Sequence, residues 1–156
     1  AGAELVFLPI YYTEASIILT QANSMGYAPM FFGCDGLDGL LTVDGFDTSL
    51  AEGVMLLTPF AADADDELTK NFVAAYEEAY GETPIQFAAD AYDGVYTFKA
   101  AMEEAGSIES ADMIDAMTKI SVSGLTGDPI TFDASGAAVK DVKFVTVKDG
   151  QYTYVE

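Results

Sequence analysis

Two side chains that could bind a ligand follow directly after apolar segments of the chain. Tyr11 comes at the end of the run 5–10, and Asp35 follows the run 29–34. Because ligands of open parallel sheets bind beyond the carboxyl ends of the strands, we expect these two side chains to share a site. An aromatic ring beside a carboxylate suits an apolar ligand with a cationic head. The pair therefore predicts a site for an amino acid.

Both residues also have an ordinary structural interpretation. Asp35 lies in a Gly-Cys-Asp-Gly segment, where Asp commonly bonds its own backbone in a turn. Tyr11 is followed by Tyr12, and because adjacent residues point to opposite sides, only one of them can face a given crevice. The sequence contains no Arg that could neutralise Asp35, which favours the functional interpretation.

The charge of the chain excludes several kinds of partner. Six Lys against 26 acidic residues give a net charge of −20. Nucleic-acid binding requires clustered Lys or Arg, so we predict no nucleic-acid partner. The acidic segment 63–67 fails as a calcium loop, because Leu68 and Ala74 occupy the positions that need Gly and Glu. One Cys and no His argue against a zinc site, whose usual ligands are Cys and His, and we predict no metal and no cofactor.

Catalysis is not predicted either. Without His, Cys34 cannot form a Cys/His nucleophile pair within this chain, and we interpret it as a buried structural thiol. No phosphate-binding glycine loop and no nucleophile elbow occur. An α/β enzyme remains the less favoured alternative, and turnover of an ester or amide would support it.

Predicted strands and helices alternate along the chain, and an antiparallel β-ribbon follows them. Apolar runs predict strands at 5–11, 29–34, 53–58 and 84–88. Spacings of three and four residues predict helices that begin near Thr13, within 63–67, at Asp90 or a neighbour, and at Ser110. The predicted core stripe of the helix that begins at Asp90 is Ala91, Val95, Phe98, Met102 and Ala105. From Gly124 onwards short antiparallel strands are predicted, with a hairpin turn at Asp149-Gly150. The fold class is α/β with a parallel β-α-β sheet and a carboxyl-terminal antiparallel ribbon.

Length and hydrophobicity indicate a folded domain. The 156 residues suffice for one domain with a core, and half of them are hydrophobic. Apolar runs fall short of the ~18 residues that a membrane span needs. Because no charged segment followed by an apolar one opens the chain, we expect any secretory signal to have been removed or to lie upstream.

The motifs together resemble the type I periplasmic solute-binding proteins of ABC transporters, in particular the branched-chain amino-acid group. The similarity runs along nearly the whole chain, in the family's order. The matching segments are Tyr11-Tyr12-x-Glu14, Phe32-Gly33-x-Asp35-Gly36, Ala51-Glu52-Gly53-Val54, Pro59-Phe60, Phe72-x-x-x-Tyr76 before Tyr80-Gly81, Tyr92-Asp93-Gly94-Val95, Ala105-Gly106 and Gly124-x-x-Gly127-x-Pro129-Ile130-Thr131-Phe132-Asp133.

The resemblance implies a Rossmann-like, two-lobed binding protein without catalysis. It assigns Asp35 to the ammonium group of the ligand, Tyr11 to a wall of the pocket and Phe87 to the opposite wall, on the other lobe. Residues 1–58 and 129–156 would belong to the second lobe, and 59–128, with the crossovers, to the first. A single rearranged α/β domain over 1–156 is the alternative.

The family runs to about twice this length, so the chain resembles its carboxyl-terminal half. We therefore expect an extracytoplasmic protein, periplasmic or a cell-surface lipoprotein, that binds aliphatic amino acids and serves ABC permease subunits. The half by itself is predicted to form a homodimer or a larger species and to bind amino acids only weakly. A ligand-sensing receptor domain is the alternative within the same fold.

Overall fold

The structure is a computed structural model that describes residues 2–140 and 142–155. The chain divides into two compact units, Ala1–Ala64 with Val142–Glu156 and Asp65–Asp141. The elements follow in the order β1 (Leu5–Leu8), α1 (Tyr12–Ser24), β2 (Met30–Gly33), three short 3-10 helices (Asp35–Leu37, Leu40–Thr42, Thr48–Ala51), β3 (Met55–Thr58), α2 (Glu67–Tyr80), α3 (Gln86–Ala105), α4 (Ser110–Met117), β4 (Thr131–Phe132), β5 (Ala138–Val139), β6 (Lys143–Lys148) and β7 (Gln151–Val155).

The first unit is built on a five-stranded sheet in the order β1-β2-β3-β6-β7. The strands β1, β2 and β3 are parallel, and β6 and β7 continue the sheet in antiparallel pairing. Asp149 and Gly150 connect β6 to β7 with φ of 53° and 74°, the left-handed pair that a tight hairpin turn requires. The predicted parallel β-α-β sheet with an antiparallel ribbon is thereby confirmed.

One face of this sheet is buried. On this face, residues of the sheet, of α1 and of the 3-10 helices pack into one core. The core consists of Leu8, Ala15, Leu19, Leu37, Leu40, Ala51, Val54, Leu56, Val145 and Val147. On the other face Leu5 and Phe7 lie beside Met30 and Phe32 in register, and the rings of Phe7 and Phe32 stack 5.9 Å apart. Both faces of the sheet are therefore apolar at its parallel end, as parallel sheets usually are.

The start of α1 differs from the prediction. The strand β1 ends at Leu8, because Pro9 has no N–H with which to continue the ladder. Tyr11 is the extended N-cap residue of α1, with φ −86° and ψ 162°, so the predicted cap at Thr13 is wrong and Thr13 lies in the first turn.

The second unit consists of three helices and a small ribbon. Asp66 caps α2 by accepting a 2.8 Å hydrogen bond from the N–H of Thr69, and β4 pairs with β5. Its buried apolar cluster is formed by Ala101 of α3 together with Ile120, Val122 and Ile130.

Three predictions for α3 are wrong. The predicted strand 84–88 and the cap at Asp90 are replaced by a helix that begins at Gln86, after the N-cap residue Ile85. The predicted core stripe also faces outward. Buried instead are Gln86, Ala89, Asp93, Thr97 and Ala101. The apolar pattern predicted the wrong face, because the side of α3 that is buried within this unit carries polar residues. Among them is Asp93, whose hydrogen-bond partners are buried.

The lobe boundaries remain predictions. The boundaries between the compact units lie after residues 64 and 141. The predicted lobe boundaries lie after residues 58 and 128. Positions 1, 141 and 156 of those ranges lie outside the described residues. No helix in the described part of the chain is long and apolar enough to cross a membrane.

Candidate functional site

Tyr11 and Asp35 line one open cavity in the first unit. It has a volume of about 500 Å³ and lies where β1 and β2 end. The residues around it are Pro9, Ile10, Tyr11, Glu14, Cys34, Asp35 and Gly36. The structure thus brings the two predicted side chains to the same cavity, and their roles toward a ligand stay predictions.

A glycine permits the close approach of the two loops that form this cavity. A Cβ atom on Gly36 would lie 2.6 Å from the carbonyl oxygen of Ile10, well inside van der Waals contact. The loop after β2 therefore rests directly on the loop after β1. Asp35 begins the first 3-10 helix, and its carbonyl accepts a hydrogen bond from the N–H of Asp38 at 3.0 Å. The close approach of Gly36 to Ile10 places Asp35 and Tyr11 on the same cavity.

The electrostatics of the cavity are set by two carboxylates. Glu14 and Asp35 both line it, and its seven lining residues include no basic side chain. Among the described residues, the ion pairs made by lysine involve other acids. The cavity consequently favours a ligand group that carries positive charge and donates hydrogen bonds.

Sequence reasoning missed two residues of this cavity. Glu14 follows Tyr11 by three residues, which places both on one side of the first turn of α1, and this spacing could have identified it. Cys34, predicted to be buried, is only half-buried and lines the cavity. The prediction was wrong because β2 ends at Gly33, one residue before Cys34.

Phe87 lies in the second unit. It is the second residue of α3 and not part of a strand, and its ring is partly exposed. Its role as a wall of the ligand site stays a prediction.

A buried carboxylate in the second unit joins α3 to the loop before β4. Asp93 accepts hydrogen bonds from the N–H groups of Leu125 at 2.8 Å and Thr126 at 2.7 Å, and from the hydroxyl of Thr126 at 2.6 Å. Lys140 donates to that hydroxyl oxygen at 2.6 Å and lies 3.6 Å from Asp90. The arrangement satisfies Asp93 internally, so we assign it to structure and not to ligand binding.

The family model described as periplasmic binding protein matches residues 1–151. The chain belongs to this family. No curated protein sequence matches it. Family members are solute-binding proteins, in agreement with the prediction of a binding protein without catalysis.

Solved structures of transporter binding proteins superpose on nearly the whole chain. A leucine-binding protein from Thermotoga maritima is 27% identical with a TM-score of 0.83, and covers 98% of this chain and 44% of its own. A branched-chain amino-acid transporter substrate-binding protein from Streptococcus pneumoniae, in complex with isoleucine, is 29% identical with a TM-score of 0.82, over 97% of this chain and 44% of its own. An ABC transporter solute-binding protein from R. palustris, in complex with benzoate, shares the fold with a TM-score of 0.83. It is 19% identical, over 97% of this chain and 42% of its own.

The chain therefore spans less than half the length of these relatives. The three relatives named above are binding proteins of transporters, and the receptor alternative is not favoured.

Proposed function

We propose that this chain forms the ammonium-binding side of an amino-acid site in an extracytoplasmic solute-binding protein of an ABC importer. The observation that carries the proposal is the placement of Asp35, Glu14 and Tyr11 around one cavity at the ends of two parallel strands. The leucine-binding relative and the relative in complex with isoleucine support it.

The charge of the cavity favours an amino acid over an aromatic acid. Benzoate, which a relative binds, has a carboxylate and no cationic group. Two carboxylates without a basic neighbour would repel such an anion, whereas they would stabilise an ammonium group through charge-assisted hydrogen bonds. Tyr11, Pro9 and Ile10 supply apolar surface for an aliphatic side chain.

The test is calorimetric titration of the full-length protein with matched ligands. Leucine and 4-methylpentanoate share the aliphatic chain and the carboxylate, and differ in the ammonium group. Charge-assisted hydrogen bonds contribute ~1.5–3 kcal/mol, so leucine should bind roughly ten- to a hundredfold more tightly. Benzoate serves as the second comparison. Binding of 4-methylpentanoate or benzoate as tightly as leucine would refute the proposal.

A further inference from the structure

The loop that carries Asp35 is closed by a single turn of 3-10 helix, Asp35–Leu37. The N–H of Leu37 donates to the carbonyl of Cys34, and the N–H of Asp38 donates to the carbonyl of Asp35, both at 3.0 Å. Such short 3-10 turns have few internal hydrogen bonds and poorer hydrogen-bond geometry than an α-helix. The position of Asp35 therefore depends on the contacts that fix the residues directly after the turn.

Tyr152, on the last strand of the sheet, fixes those residues. Its hydroxyl donates to the carbonyl of Leu37 at 3.3 Å and accepts from the N–H of Gly39 at 3.2 Å. The two partners lie 115 and 113 positions away along the chain. Tyr152 itself is held by the β6–β7 ladder, in register with the buried residue Val147. The sheet thus fastens the segment after the Asp35 turn through one hydroxyl group.

Tyr12 packs directly against the same segment. Gly39 has a φ of 106°, and a Cβ atom there would lie 2.9 Å from Cδ1 of the Tyr12 ring. Glycine at this position therefore permits both the left-handed backbone and the close approach of the ring. Tyr12 follows Tyr11, which lines the cavity. One end of α1 consequently supplies a ring to the cavity and a second ring to the loop that carries Asp35.

The ring and the hydroxyl of Tyr152 have separable roles. The ring packs against the core of the first unit, a role that phenylalanine would also fill. A buried tyrosine hydroxyl usually finds a hydrogen-bond partner somewhere, so its bonding alone does not indicate a function. Here both backbone partners of the hydroxyl belong to one loop, and that loop carries Asp35 at the cavity.

We propose that Tyr152 is a positioning residue for the Asp35 carboxylate, an inference that rests on the proposed function. Its hydroxyl holds Leu37 and Gly39 in place, and thereby holds the turn before them so that Asp35 meets the ligand ammonium. Charge-assisted hydrogen bonds weaken steeply when distance and direction change. Apolar contacts depend much less on direction. Loss of the hydroxyl should therefore impair recognition of the ammonium group and spare the contacts of the aliphatic chain.

Calorimetric titration of Tyr152→Phe in the full-length protein tests this inference. The preference for leucine over 4-methylpentanoate, expressed as the ratio of their affinities, should fall roughly three- to tenfold. The affinity for 4-methylpentanoate should stay within about twofold, because that ligand has no ammonium group. Tyr154→Phe, on the same strand, is the matched control and should keep the native preference. The titrations are made at a temperature at which circular dichroism shows every variant folded.

A double-mutant cycle with Asp35→Ala separates positioning from a purely structural role. In the Asp35→Ala background, Tyr152→Phe should leave the ligand preference unchanged, because Tyr152 acts through Asp35. An equal loss of affinity for both ligands, an unchanged preference in Tyr152→Phe, or a further loss of preference in the double variant would each overturn the inference and leave the proposed function standing. If the native protein itself shows no preference for leucine, the proposed function is wrong and this inference falls with it.

Discussion

The hydroxyl of Thr126 donates a 2.6 Å hydrogen bond to the carboxylate of Asp93, and both side chains are buried. The two residues are 33 positions apart, so this bond fixes the loop before β4 against α3. Two backbone N–H groups of the same loop also donate to Asp93. Because these buried donors of the loop bond to Asp93, the stability of the second unit should depend on this one side chain.

Replacement of Asp93 should destabilise the second unit. Asp93→Ala leaves the N–H groups of Leu125 and Thr126 buried without an acceptor, and the loss should be about 3 kcal/mol of unfolding free energy. Urea denaturation followed by circular dichroism measures it. Glu103→Ala is the control, because its exposed pair with Lys99 should contribute less than about 0.5 kcal/mol. Equal effects of the two substitutions would contradict the structural assignment of Asp93.

Replacement of Asp35 should weaken ligand binding. Asp35→Ala removes the predicted acceptor of the ligand ammonium, and affinity for leucine should fall roughly ten- to a hundredfold in the full-length protein. Calorimetry measures the change, and Asp44→Ala, an exposed acid of the same unit outside the cavity, is the control. Unchanged affinity in the Asp35 variant would show that this residue is a turn former only.

Replacement of the predicted apolar walls should depend on ligand size. Tyr11→Ala and Phe87→Ala each remove surface that is predicted to contact the side chain of the ligand, and buried apolar area contributes about 25 cal/mol per Å². Affinity for leucine should therefore fall more than affinity for alanine. A competition assay with both amino acids measures the difference. Equal losses for the two ligands would exclude a wall role.

Two glycines should respond in opposite ways to alanine. Gly36→Ala forces a Cβ atom against the carbonyl of Ile10 and should destabilise the first unit by roughly 1–3 kcal/mol. Gly94→Ala meets no atom within 4 Å and should stabilise α3 by up to about 1 kcal/mol in this chain. Thermal denaturation measures both. A stable Gly36 variant with intact leucine binding would show that the loop contact is not needed to hold Asp35.

Alkaline pH should weaken the first unit through Tyr152. Burial, and then the nearby Asp38 carboxylate, raise the pKa of the Tyr152 hydroxyl well above its usual value. Because the folded-state pKa is raised, this stabilisation is complete below the unfolded pKa of about 10 and is lost as the pH rises beyond it. Denaturation between pH 7 and 11 should therefore show a steeper alkaline loss for the native chain than for Tyr152→Phe.

At neutral pH the Tyr152→Phe variant has a separate cost. The hydroxyl donates to the carbonyl of Leu37 at 3.3 Å and accepts from the N–H of Gly39 at 3.2 Å. Their loss should lower the unfolding free energy by about 1 kcal/mol. Tyr154→Phe, on an exposed tyrosine of the same strand, is the control. Identical alkaline curves for the native chain and the Tyr152 variant would contradict the burial argument.

The sequence by itself determined the fold class and the juxtaposition at the cavity. Apolar runs separated by an amphipathic helix specify parallel strands, and parallel strands bring the residues after their ends to one edge. The sequence therefore predicts that Tyr11 and Asp35 lie together, and both line the same cavity. The hairpin at Asp149-Gly150 followed from local backbone chemistry in the same way.

Only the tertiary structure decided which face of α3 is buried within the second unit. Periodicity locates an apolar stripe but does not identify the surface against which it packs. Here the side buried within the unit carries Asp93, because the loop at Leu125 and Thr126 supplies the donors that a buried carboxylate requires. These hydrogen bonds join residues more than thirty positions apart, so no periodic pattern in the sequence predicts them. The apolar stripe with Val95 and Phe98 consequently faces outward, contrary to what apolarity predicted.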